Sequence, residues 1–87
     1  MFIIKTKEGF TAGIGAQKRQ VLVYLDGVLH TTAEWNADRD AAWNHRNGAL
    51  ASLLKVSSRP GFTPHHILGA APVPGHDFWA VMVREGD

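Results

Sequence analysis

Apolar and polar positions alternate in short runs at both ends of this chain and give way, in the middle, to one longer stretch with helical spacing. Residues 2–7 begin bulky and β-branched and predict a first strand, which Lys7, Glu8 and Gly9 are able to turn. Residues 10–16 predict a weak return strand, in which Gly13 and Gly15 bracket Ile14 and mark a bulge or close backbone approach. Residues 20–25, with the run VLVYL, form the clearest strand, and Asp26-Gly27 joins it to residues 28–32. That dipeptide tolerates the positive φ of a type I′ turn, so the two strands are expected to pair antiparallel. Residues 65–71 and 77–84 predict a second hairpin around the stiff loop 71–75. Phe78, Ala80 and Met82 point one way from its last strand and Trp79, Val81 and Val83 the other. With both faces apolar, that strand is expected inside a sheet, and its second face, if left uncovered, is a surface for a dimer or partner.

Between the hairpins, residues 36–56 predict the one main helix. Asn36 is the preferred N-cap, with Asp38 and Asp40 at the positive helix end; a capping-box spacing at Thr31–Glu34 offers an earlier start. Ser57-Ser58-Arg59-Pro60-Gly61 ends it, because proline cannot continue a helix. Advancing about 100° per residue places Ala42, Ala49, Leu50, Leu53 and Val56 on one arc, with Trp43 and Leu54 on its flank, so this arc is expected to dock on the sheet. Gly48 inside a helix costs about 1 kcal/mol relative to alanine and suggests close packing or simple tolerance. Trp35, Arg39, Trp43 and Arg46 recur at spacings that make side chains neighbours. They read either as a contact stripe running past the sheet edge or as arginines laying their stems over tryptophans with their heads in water. The fold expected is α+β: one domain, residues 1–87, with a mostly antiparallel sheet of about four to six strands and the helix on one face, in the order ββββαββ.

Composition narrows the function. The chain has 87 residues, a formal net charge of +1 and no cysteine. Disulfides, thiolate metal sites and cysteine nucleophiles are thereby excluded, and stability must come from packing. No run approaches the roughly 18 to 20 apolar residues that span a bilayer, and the first residues, MFIIKTKEG, are charged too soon for a signal peptide, so no membrane partner is expected and the cytoplasm is the expected location.

Candidate chemistry is sparse. His65, His66, His76 and Asp77 flank one predicted hairpin and suit zinc or nickel if they converge, but neighbouring histidines on a strand face opposite ways; no metal or other cofactor is expected. Ser52, Ser57 and Ser58 are candidate nucleophiles without an elbow or oxyanion context. Asp38 and Asp40 diverge too far around a helix to flank one bond. Gly13 and Gly15 beside Lys18 and Arg19 match no phosphate-loop spacing. The chain is therefore expected not to be an enzyme.

Two binding readings remain. Trp35, Arg39, Trp43 and Arg46 can stack on bases or touch phosphates, with Lys5, Lys7, Lys18, Arg19 and Arg59 as a basic rim, but the near-neutral charge and the acidic neighbours Glu34, Asp38 and Asp40 make a nucleic acid the second choice. A protein partner is the first: tryptophan and arginine dominate interface hot spots, and Trp35, Arg39, Trp43 and Arg46, with Lys18 and Arg19, are the expected partner-binding residues, on a monomer or homodimer. In its small size, cysteine-free composition and hairpin-helix layout, the whole chain resembles the phage-encoded inhibitor proteins of the anti-CRISPR type. No motif carries that resemblance and no residue transfers with it. It implies a protein that binds a multisubunit nucleic-acid-guided complex and blocks DNA access or effector recruitment by occupying a surface.

Overall fold

The computed structural model describes residues 1–11, 18–56 and 65–86. Five strands and one helix follow in the order β1 (Phe2–Thr11), β2 (Lys18–Leu25), β3 (Val28–Glu34), α1 (Ala41–Val56), β4 (His65–Pro72) and β5 (Phe78–Glu85). All strand pairings are antiparallel, and the spatial order is β3-β2-β1-β5-β4. The α+β architecture with one helix on an antiparallel sheet is as expected. The first strand, however, does not turn at Lys7-Glu8-Gly9: it runs on, with Glu8 opposite Val21 and Gly9 opposite Gln20. Pairing with β2 carries it past Lys7, where the ladder with β5 ends. β1 is the central strand, and its ladder with β2 is locked by Glu8, whose carboxylate takes two hydrogen bonds from Arg19 at 2.6 and 2.9 Å. The expected return strand at residues 10–16 overlaps β1 at its start, and its glycines lie outside the described residues.

The first hairpin forms as the Asp26-Gly27 dipeptide demands. Both residues have positive φ, 52° and 78°, the backbone signature of a type I′ turn. In the second hairpin a turn closes from the Val73 carbonyl to the His76 N–H at 3.1 Å, with Pro74 and Gly75 at its corner. β4 carries a bulge between Ile67 and Gly69, at the sheet edge where such irregularities are common.

Alternation along the strands builds the core. Ile4, Val21, Val23, Val81 and Val83 point to the helix side and are fully buried, and Ala49 and Leu53 of α1 close over them. Each buried branched side chain contributes about 1.5–3 kcal/mol of transfer free energy. α1 lies across all five strands on this one side. Among the described residues no other element covers the opposite side.

Candidate functional site

The helix begins later than its sequence spacing suggests. Ala41 opens it and Asp40 is the N-cap, its carboxylate accepting the Trp43 N–H at 2.7 Å. Asn36 instead closes a small turn, accepting the Asp38 N–H at 2.9 Å, so Asp38 lies outside the helix. Asn44, buried in the second turn, explains the displacement. Its side-chain oxygen takes the Asn36 N–H at 2.7 Å, while its amide donates to the carbonyls of Asn36 at 3.0 Å and Asp40 at 2.9 Å. One side chain thus satisfies a loop backbone that would otherwise have continued as helix. Trp35 falls on the strand side of this loop, its N–H donating to the Arg19 carbonyl at 3.1 Å.

This entry also sets the phase of α1. The residues that face the sheet are Asn44, His45, Gly48, Ala49, Ser52 and Leu53. Gly48 is the closest approach: a Cβ there would sit 2.8 Å from Val21 Cγ1 and 3.2 Å from Val23 Cγ2. His45 fills the space beside it. Its Nδ1 is 2.7 Å from the Thr6 hydroxyl, its ring stacks on Trp79 and meets the edge of Trp35. Burial pushes this imidazole down to about pKa 4, against a smaller opposing pull from Glu8. Further along, Ser52 Oγ, His30 Nδ1 and Thr31 Oγ1 form a closed triangle with sides of 2.6, 2.8 and 3.1 Å. Ser52, one of the candidate nucleophiles set aside for want of an elbow or oxyanion context, does meet a histidine, but it is fully buried.

The expected contact stripe is therefore divided. Trp35 turns toward the core, and Arg19 lies over its ring at 3.9 Å while holding Glu8. Lys18, Arg19 and Trp35 line a shallow hollow of about 360 Å³ with Glu34 and Ala37. Arg39 lies over Trp43 at 5.3 Å, on the outer side of the helix entry. Trp43 and Arg46 line a separate open groove of about 370 Å³ between α1 and β4, together with Asn47, Leu50 and Ile67. The arc expected to dock is also rotated. Leu50 is 45 % exposed and Leu54 61 %, whereas the polar and small residues of the helix are inside. Scanned against known families, curated proteins and solved structures, the chain matches none.

The histidines of the second hairpin lie far apart. His66 pairs with Arg84 at one end of the β4-β5 hairpin, and His76 lies beyond Pro72 and Trp79 at the other. Six residue steps of strand, about 20 Å, separate those ends. Among the described residues no three histidine, aspartate or glutamate side chains gather as a metal site. No helix among them is long and apolar enough to cross a membrane. Leu50, Asn47 and Ile67 are the groove residues that sequence spacing missed. Their signal was present in His45, Gly48, Ala49 and Ser52, a stripe of small and polar residues at spacings of three and four that marks the close-packed side and leaves Leu50 and Leu54 outside.

Proposed function

We propose that this chain is a small non-enzymatic docking module that acts in the cytoplasm and inhibits a larger protein assembly by occupying its surface, in the manner implied by its likeness to anti-CRISPR inhibitors. The observation that carries the reading is the pair of leucines left exposed on the outer side of α1. A helix on a small domain ordinarily spends its leucines on the core, yet α1 leaves Leu50 and Leu54 exposed, beside an open groove lined by the half-buried Trp43 and by Arg46. An aromatic and a guanidinium flanking exposed leucines make the composition of an interface centre, where truncation of one residue costs 2 kcal/mol or more as an order of magnitude, about thirtyfold in affinity. The enclosed Ser52 supports binding over catalysis.

The test is a tagged pull-down from nuclease-treated host lysate, run side by side with Arg46→Glu and Leu50→Lys. The expected outcome is a stoichiometric set of subunits retained by the parent chain and lost from both variants, with thermal midpoints unchanged within a few degrees. Retention of the same set by both variants, or recovery of bait alone, overturns the assignment.

A further inference from the structure

The side of the sheet that α1 leaves open has its own chemistry. Strand alternation places Ile3, Lys5 and Lys7 of β1, Leu22 and Tyr24 of β2, and Phe78, Ala80, Met82 and Arg84 of β5 on it. Two side-chain distances agree with this geometry: Lys5 Nζ lies 4.7 Å from the centre of the Phe78 ring, and Lys7 Nζ lies 2.9 Å from Asp77. Tyr24 is directly opposite Lys5 and Phe78 directly opposite Lys7, on either side of the central strand. From strand spacing and residue rise the two rings are about 12 Å apart on a diagonal, with the two lysines between them. Both rings are half-buried and Lys5 is exposed.

Cations outnumber carboxylates on this face. The described open-face positions of β1, β2 and β5 include Lys5, Lys7, Lys18 and Arg84 and no carboxylate; Glu34 of β3, opposite Gln20, shares the face and pairs with Lys18 at 3.9 Å, and Asp77 just before β5 pairs with Lys7. The Glu8 carboxylate faces the helix side, and Asp38 and Asp40 belong to the helix entry, so the small net charge of the whole chain conceals a basic face. The Lys7–Asp77 pair is exposed, and bridges of that kind contribute about 0–1 kcal/mol and yield readily to a stronger anion.

We propose that this open face is a platform for single-stranded nucleic acid, with Tyr24 and Phe78 as base-stacking groups and Lys5, Lys7 and Arg84 as phosphate-binding groups. A second copy of the chain is disfavoured as occupant, because pairing the face with itself sets lysine against lysine. An acidic peptide answers the charge but leaves the aromatic rings without a use. A single strand answers both, since every base offers a π face and every linkage a phosphate. The site is separate from the α1-β4 groove, so each assignment stands or falls independently.

The experiment is fluorescence anisotropy of a labelled short oligothymidylate titrated with the full chain at several salt concentrations. Saturable binding is expected, weakened about tenfold or more by Tyr24→Ala or Phe78→Ala. Lys5→Met, which keeps the stem, is expected to reduce the slope of log affinity against log salt by about 0.7, the share of one phosphate that is no longer neutralised. Tyr24→Phe keeps the ring and retains binding, which separates loss of stacking from loss of fold. The proposal is overturned if the parent shows no saturable binding at low salt, if an abasic strand or polyglutamate binds equally well, or if Tyr24→Ala leaves affinity unchanged in a folded protein.

Discussion

The His45 imidazole lies nearly parallel to the Trp79 indole, 9° between planes and 4.4 Å between centroids, and so joins the first helical turns to the last strand of the sheet. Thr6 holds the same imidazole from the central strand. Burial disfavours the charged form of this ring and is what depresses its proton affinity.

Stability is therefore expected to fall in mild acid. The unfolded imidazole takes its proton near pH 6.5 and the folded one near 4, so between these values the unfolded state binds more protons. Stability is level above about 6.5, declines as pH drops through the window by on the order of 3 kcal/mol, and falls no further on account of this residue below it. Urea denaturation across that range measures the decline, and His45→Phe is expected to flatten it. The Glu8 carboxyl, held below its ordinary range mainly by the Arg19 hydrogen bonds, adds a further loss only at lower pH.

Gly48→Ala is expected to destabilise despite alanine's better helix propensity. The gain is about 1 kcal/mol, but the added carbon meets Val21 Cγ1 at 2.8 Å, on a stiff β-branched side chain buried in the sheet. Overpacking at such a point costs about 1–3 kcal/mol, and the net loss shows as a lower denaturation midpoint with little change in slope.

Two adjacent-turn leucines are expected to respond oppositely to truncation. Leu53→Ala removes a side chain that is 8 % exposed and costs about 2–5 kcal/mol. Leu50→Ala, at 45 % exposure, stays within about 0.5–1 kcal/mol of the parent. Paired thermal melts decide this, and equal losses would place Leu50 in the core.

Asn44→Leu, similar in volume, is expected to lose about 1–3 kcal/mol, because the Asn36 N–H and the carbonyls it served are left without their partner. Hydrogen exchange at Asn36 and Asp38 rises selectively. Asp40→Ala costs about 1 kcal/mol by loss of the cap alone, which distinguishes the two roles.

Much of this architecture is local in origin and could be read residue by residue. Asp26-Gly27 specified its turn because only residues tolerant of positive φ fit it. The alternation of Phe78 to Val83 separated a helix side from an open side because side chains on a strand change face at every step. The helix itself followed from spacing and from Pro60 beyond its end. What tertiary structure alone decided was which side of that helix went inward, where it began and how the expected stripe divided. Hydrophobic periodicity favoured Leu50, but Gly48 permits a closer approach to Val21 and Val23, and His45 and Ser52 find partners on Thr6, His30 and Thr31 only across the sheet. Asn44 holds the entry loop out of the helix, so Trp35 joins Arg19 inside while Trp43 remains outside with Arg39. β1 became central because β5, the most distant strand in sequence, pairs along it. These outcomes depend on groups far apart in the chain, whose mutual distances exist only after folding, and on polar interactions whose value depends on whether water is excluded around them.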